Sequence, residues 1–317
     1  MKQWLLWTLA VLLGFTVQAP AVTAAEESPE HWLQTMLAAS RQTSFSGYSV
    51  HLSGGQLNSM AVYHAPIDGE VWERVVHMSG EPAEIIRKGR QVYCLHPRQS
   101  RGMAVSPPLG RWGALEESAK AVSRYYRFQR MGEERVAGRD SIRLNVEPLD
   151  EHRYGYSLWL DRESGVLLRA QTAAVGGMPL EVFEFVSIQM GAALDKASFE
   201  PSAGLQRRRP TRGDQPPPTR SPAQHWGPQW LPEGFVESDQ VVQFSGQGDV
   251  TSRAYTDGLT SFTVFHEPES GVGSNTVSAH GATVAVHRQL ADARITVVGE
   301  IPVATAERIA ASVKPLD

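Results

Sequence analysis

Cysteine is almost missing from this sequence, since Cys94 is the one cysteine among 317 residues. A lone cysteine excludes an intrachain disulfide, and it excludes zinc and iron–sulfur sites built from cysteine clusters. A basic excess is also missing, because 30 Lys and Arg residues stand against 34 Asp and Glu residues, a formal net charge of −4. We therefore do not expect nucleic-acid binding through a positively charged face.

Motifs of catalysis and metal binding are missing as well. The sequence contains no Gly-x-Ser-x-Gly, no His-Glu-x-x-His and no phosphate-binding glycine-rich loop. The ten histidines do not pair with one another or with carboxylates at a convincing metal-ligand spacing. We therefore expect no catalytic residues, no metal and no cofactor. An exported hydrolase stays open as an alternative, but no motif indicates its residues.

Long hydrophobic runs are confined to the N-terminus. Lys2 precedes an apolar run over Trp4–Val17, which is followed by small residues up to Ala25 and then by two acidic residues. This order predicts a secretory signal peptide over residues 1–25. An uncleaved anchor is the alternative, but a membrane span takes about 20 apolar residues and this run is shorter. The mature protein is expected to be exported and soluble.

The hydrophobic pattern of the remaining chain predicts two unequal domains that are mainly β. Residues 26–205 begin with an amphipathic helix, Pro29–Ala39, and continue with alternating apolar and polar residues between glycine-containing turns. Such alternation is typical of antiparallel strands. Residues 225–317 show the same alternation and end in a helix near Val303–Val313. The fold class expected is therefore mainly β with a few α-helices.

A basic linker, residues 206–224, is predicted between the two domains. It is rich in Pro and Arg and contains almost no apolar side chain, so it cannot form a core. Guanidinium groups suit phosphates and carboxylates, so an anionic lipid head or an acidic partner could bind there. A solvated tether is the alternative interpretation. The candidate binding residues of this linker are Arg207, Arg208 and Arg209.

The predicted strands of the larger domain are rich in apolar and aromatic residues. A large antiparallel sheet with few helices is usually curled or covered, and a curled apolar face can accept an acyl lipid. The same side chains could instead fill an ordinary core. The candidate lipid-cavity residues are Tyr48, Val50, Leu52, Tyr63, Trp72, Tyr93, Leu158 and Phe185.

Three segments make the chain similar to a known family. They are Tyr154–Asp161, Trp230–Phe235 and Tyr255–Phe262, the last followed by a strand and a C-terminal helix. Together with the signal peptide and the two-domain layout, they resemble the RseB/MucB family of periplasmic envelope-stress regulators. The resemblance covers nearly the whole mature chain.

The resemblance implies a fold, a location and a function. The large domain would be an unclosed antiparallel β-barrel like those of LolA and LolB, and the small domain an antiparallel sheet with a helix. The protein would be a non-enzymatic periplasmic regulator that binds the periplasmic part of a single-span anti-sigma factor and protects it from regulated proteolysis. Acylated lipid or lipopolysaccharide would release it, and alginate production would be among the outputs.

Aromatic side chains of the small domain are the candidates for partner binding, because aromatic anchors dominate interface energetics. Each could instead belong to the core of that domain. A lipid or lipoprotein carrier is the alternative function, but it does not explain the linker and the second domain. Peripheral membrane contact and self-association stay open. The candidate partner-binding residues are Trp226, Trp230, Leu231, Phe235 and Tyr255.

Overall fold

A computed structural model describes most of the chain after the predicted signal peptide. The described residues are 28–89, 91–97, 122–174, 176–207, 226–238, 250–268, 274–290 and 292–316. The predicted signal peptide and all but the first two residues of the predicted linker lie outside them. Among the helices of these ranges, none has the length and apolar character needed to cross a membrane.

The N-terminal helix, α1, spans Pro29–Gln42. Its start is set locally, because the Ser28 hydroxyl accepts a hydrogen bond from the His31 amide at 3.1 Å and Pro29 occupies the first turn. Apolar residues on one side of the helix are buried. The helix predicted from the sequence is thus confirmed, and it continues three residues beyond the predicted end.

Eleven strands form the first sheet, and each hydrogen-bonded neighbour pair in it is antiparallel. The strand order is β11-β5-β4-β3-β2-β1-β10-β9-β8-β7-β6, so β11 and β6 are the two ends and the described sheet is not closed. The strands are β1 (Phe45–Ser53), β2 (Gln56–Ile67), β3 (Glu70–His77), β4 (Glu84–Lys88), β5 (Gln91–His96), β6 (Tyr126–Val136), β7 (Arg139–Pro148), β8 (Gly155–Asp161), β9 (Leu167–Ala173), β10 (Pro179–Met190) and β11 (Gln206–Arg207).

Helix α1 covers one face of this sheet. Its Leu33 and Met36 pack with Leu144 and Leu158, and its Ala39 packs in a second cluster with Phe45. The opposite face is partly covered by a 3-10 helix, Lys196–Phe199. The ring of Phe199 meets Trp72 edge to face there, with 5.8 Å between the ring centroids.

A second, six-stranded antiparallel sheet follows, in the order β13-β14-β15-β18-β17-β16. Helix α2, Val303–Ser312, packs on it, and the short strands β12 and β19 pair beside it. The strands are β12 (Trp226–Pro228), β13 (Val236–Ser238), β14 (Thr251–Thr256), β15 (Ser261–Pro268), β16 (Thr276–His280), β17 (Thr283–Gln289), β18 (Ala293–Gly299) and β19 (Val313–Pro315).

The fold class predicted from the sequence is confirmed: the chain is mainly β, with an unclosed antiparallel sheet and a smaller antiparallel sheet with a helix. The predicted linker differs at its start. Gln206 and Arg207 pair with His96 and Leu95 of β5. Strand pairing uses backbone groups, so a segment without apolar side chains can still extend a sheet edge.

Candidate functional site

The two sheets meet at a buried ion pair between Arg153 and Asp257. The Arg153 Nη1 donates to the Asp257 Oδ2 at 3.0 Å, and both side chains are fully buried. The Arg153 Nε donates to Asp150 Oδ2 at 3.1 Å, and Nη2 donates to the Glu233 carbonyl. A single guanidinium therefore joins the end of the first sheet to two segments of the second unit.

Aromatic rings surround this guanidinium. Its central carbon lies 4.6 Å from the ring centroid of Tyr125 and 5.0 Å from that of Phe235. The Tyr126 hydroxyl donates to Asp257 Oδ2 at 3.0 Å. Burial raises the pKa of Tyr126 well above its usual range, so the phenol remains a hydrogen-bond donor. We call Tyr126, Arg153 and Asp257 the polar node.

The polar node favours one arrangement of the two sheets. A buried ion pair recovers its desolvation cost only when its geometry is good and its other polar atoms are hydrogen-bonded. Arg153 meets that condition through Asp150 and Glu233, and Asp257 through Tyr126. Sliding one sheet along the other would separate these two charges from each other while both stay buried.

Asp257 also shapes a turn that reaches into the first sheet's core. Its Oδ1 accepts hydrogen bonds from the amides of Leu259 at 2.9 Å and Thr260 at 2.8 Å. Gly258 supplies the positive φ, +97°, that the turn requires. The Leu259 side chain then packs in the apolar cluster under α1.

A glycine opposite this turn allows the close approach of the two units. Gly234 has a φ of +88°, and a Cβ built on it would lie 2.3 Å from the ring of Tyr125. No other residue type fits there without displacing that ring. The Trp230–Phe235 segment, which carries part of the family resemblance, is therefore a contact segment between the sheets.

We call the contact region between the first sheet and the second unit (the described residues of 226–316) the joint. Two further contacts lie in the joint outside the polar node. The Tyr154 hydroxyl donates to the Ile301 carbonyl at 3.1 Å, and His152 Nδ1 lies 3.1 Å from the Thr305 hydroxyl at the start of α2. Elsewhere, Glu181 Oε1 of β10 accepts from the Ala282 amide at 3.2 Å. The joint thus holds the second unit at several places along the first sheet.

The predicted partner-binding residues lie mostly inside the second unit. Trp226, Phe235 and Tyr255 are 8%, 6% and 3% exposed and belong to its core, while Leu231 packs against that core and is half-buried. Trp230 lies at the joint, 5.2 Å from the ring of His152. These side chains hold the second unit together, and their role in partner binding stays a prediction. Arg208 and Arg209 lie outside the described residues.

The predicted lipid-cavity residues are divided between the two faces of the first sheet. Leu158 and Phe185 are fully buried on the face that α1 covers. Alternation along paired strands places the others on the opposite face, where Tyr48 is 55% and Leu52 38% exposed. No single face carries all eight, so the lipid role stays a prediction. The residues on the opposite face are Tyr48, Val50, Leu52, Tyr63, Trp72 and Tyr93.

The polar node itself is not predicted by the sequence. The Asp257-Gly258 pair is typical of a hairpin turn, and Arg153 lies in a charged stretch that is typical of a solvent-exposed loop. A buried arginine can be recognised only when its partner is known, and this partner is 104 residues away in the chain. Among the described residues, no group of three or more His, Cys, Asp or Glu side chains could hold a metal ion.

The fold and the joint define a two-unit, mainly β protein whose smaller unit is docked on the larger through buried contacts. The family model for the MucB/RseB N-terminal domain matches residues 28–203, and the model for the C-terminal domain matches residues 220–314. The chain belongs to the MucB/RseB family.

Named relatives match along nearly their whole length. The sigma factor AlgU regulatory protein MucB of Pseudomonas aeruginosa is 33% identical, over 97% of each chain. The sigma-E factor regulatory protein RseB of Escherichia coli is 26% identical, over 99% of this chain and 98% of its own.

Solved structures of MucB match both sheets together. The complex of Pseudomonas aeruginosa MucA and MucB gives a TM-score of 0.75 at 29% identity, covering 91% of this chain and 99% of that chain. MucB in complex with MucA(peri) gives 0.74 over 92% and 100%. The structure of MucB alone gives 0.64 over 90% and 98%, also at 29% identity.

Proposed function

We propose that this chain is a non-enzymatic periplasmic regulator that binds the periplasmic part of a single-span anti-sigma factor. Binding would shield that protein from the first cut of a proteolytic cascade and keep its sigma factor inactive. The observation that carries the proposal is the match to MucB in complex with MucA(peri), which covers 92% of this chain and all of that one. Membership of a family whose named members regulate sigma factors supports it.

The arrangement of the two sheets gives this proposal a structural basis. The chain superposes on two MucA–MucB complexes with TM-scores of 0.75 and 0.74, against 0.64 for MucB alone at nearly the same coverage. The chain as a whole is therefore more similar in structure to MucB in the two complexes than to MucB alone. The polar node is the feature of this chain that favours one arrangement of the two sheets, so we place the partner surface on the exposed rim of the joint.

Release by an acylated lipid or lipopolysaccharide is the second part of the proposal. The first sheet offers two apolar regions to an acyl chain. One lies under α1, and the other is a shallow depression on the opposite face, beside the 3-10 helix. The depression is lined by Ile86, Lys88, Tyr93, Leu95, Phe199 and Pro201. The depression is too narrow to admit a water molecule and the region under α1 is filled by side chains, so a side chain must move before an acyl chain enters either one.

The test measures binding and protection together. The mature chain is titrated with the purified periplasmic segment of the anti-sigma factor from the same genome, and cleavage of the full-length anti-sigma factor by its membrane protease is followed in vesicles. We expect a saturable complex and slower cleavage. Absence of a complex, or cleavage at an unchanged rate within the complex, would contradict the proposal. Transfer of a lipoprotein between vesicles would instead support the carrier.

A further inference from the structure

One apolar side chain of the second unit lies in the core of the first. Leu259 is 6% exposed and belongs to the cluster that contains Leu33 and Met36 of α1. Tyr126 of the polar node belongs to the same cluster. The region under α1 is therefore completed by a residue from a turn of the second unit, and Asp257 of that turn is 131 positions from Tyr126 in the sequence.

The turn that carries Leu259 is tied to both units. The Asp257 carboxylate holds the turn's amides with one oxygen and the polar node with the other. The Thr260 hydroxyl donates to the Glu300 carbonyl at 2.9 Å, which fixes the turn to the second unit. Leu259 cannot leave the first sheet's core without straining the hydrogen bond between Asp257 and Arg153.

We propose that Leu259 occupies part of the acyl-chain site under α1, so that bound lipid and the docked turn exclude each other. The inference rests on the proposed function, in which an acylated lipid releases the partner. Protein cores are close-packed, and an acyl chain can enter this region only where a side chain leaves it. The region has an accessible margin, because Trp32, Phe128 and Ala170 pack against it while only partly buried.

Exclusion of this kind couples lipid to partner without any contact between them. A ligand shifts an equilibrium only as far as its affinities for the two states differ. Here the acyl chain binds only when Leu259 has left the region under α1. Leu259 fills that region whenever Arg153 and Asp257 of the polar node are paired. A lipid that displaces the turn therefore weakens the arrangement of the sheets to which the partner binds, and the partner weakens lipid binding by the same factor.

The first measurement compares two leucine variants with the wild-type mature chain. The probe is cis-parinaric acid, a fluorescent fatty acid. Leu259→Ala removes the internal occupant, so we expect it to lower the probe's Kd by about tenfold, because the lipid-accepting state is more populated. Leu57→Ala is the control, since Leu57 is 63% exposed and lies on the opposite face. The inference would be overturned if Leu259→Ala left the Kd of the probe unchanged, or if Leu57→Ala alone raised that Kd.

The second measurement uses the wild-type chain, so it does not depend on how well a variant folds. Hydrogen exchange is followed at the Leu259 and Thr260 amides, which donate to Asp257. We expect both amides to exchange faster when the probe is saturating. Unchanged protection with the probe bound, or no uptake of the probe by the wild type, would show that lipid does not displace the turn.

The anti-sigma segment is titrated into the same samples without lipid. If it binds while the exchange rates do not respond to the probe, the inference alone fails. If it does not bind, the proposed function fails whatever the lipid does.

Discussion

Arg153 carries a positive charge into the space between two sheets, where its side chain has no exposed area. Such a position is costly unless every donor is used, and here Asp150, Glu233 and Asp257 accept its hydrogen bonds. An apolar contact of the same size would hold the sheets together but would tolerate sliding. The ion pair fixes the register because it works only in one geometry.

Removing one partner of this pair should be far more harmful than removing both. We expect Arg153→Met to lower the free energy of unfolding by about 3–5 kcal/mol, because the buried Asp257 carboxylate loses its counter-charge. Arg153→Met combined with Asp257→Asn should recover part of that loss, because asparagine removes the buried charge while its Oδ1 can still accept the turn amides. Urea denaturation measures both, and Arg162→Ala is the control, since its pair with Glu133 is exposed. Equal losses of unfolding free energy in the single and double variants would show that the buried charge of Asp257 is not the cause.

At the scale of elements, turns do more than connect strands in this chain. The turn after Trp230 brings Gly234 against Tyr125, and the turn after β14 inserts Leu259 under α1. Both segments carry the family resemblance, and the structure shows them as two of the places where the two units touch. Their sequence is constrained by fit to another sheet as well as by the local turn.

Two glycines with similar backbone angles allow the cost of a close side-chain contact to be distinguished from the cost of a left-handed backbone. Gly234 and Gly55 have φ of +88° and +78°, but only at Gly234 would a Cβ meet a ring, at 2.3 Å, while nothing lies within 4 Å at Gly55. Gly55→Ala should cost about 1–2 kcal/mol of stability from the left-handed backbone alone. Gly234→Ala should cost about 1–3 kcal/mol more, because Tyr125 must move. Thermal unfolding checks the difference, and equal losses would mean that Tyr125 yields freely.

Periodicity predicts the elements of this fold well, because each depends on neighbours in sequence. Helix α1 follows from Ser28, Pro29 and the spacing of its leucines, and the strands follow from alternation. Periodicity does not predict which face of the sheet is buried, and it does not predict pairs of residues that are distant in the sequence. Whether Tyr48 or Phe45 points at α1 depends on which face the helix covers, and alternation is identical in both cases. The candidate cavity residues are divided between faces for that reason.

At the scale of the whole molecule, one buried and two half-buried histidines make stability depend on pH. Burial lowers the pKa of His64, His77 and His266. His64 stacks on Phe45, and its Nε2 donates to the Ser40 carbonyl at 2.9 Å. The unfolded chain therefore takes up protons at these rings before the folded chain does.

Stability should be complete above the pKa of a free imidazole, about 6.5, and should fall as the pH drops below it. The slope is at most about 1.4 kcal/mol per pH unit for each ring. His64→Gln should make the decline shallower, and His31→Gln is the control, because His31 is exposed. Urea midpoints between pH 8 and 5.5 measure it. A midpoint that rises on acidification would contradict the sign.

The pairing of β1 with β10 joins two strands of the first sheet that are far apart in the sequence. Phe45 lies opposite Met190, so a chain that emerges N-terminus first can form the hairpins from β1 to β5 early, while one side of β1 waits for β10. Contacts of such long sequence separation form slowly. The turn with Leu259 arrives later still, so the apolar region under α1 is the last part of the first sheet to be covered. A partly synthesised chain therefore exposes the apolar region under α1 that the folded protein buries.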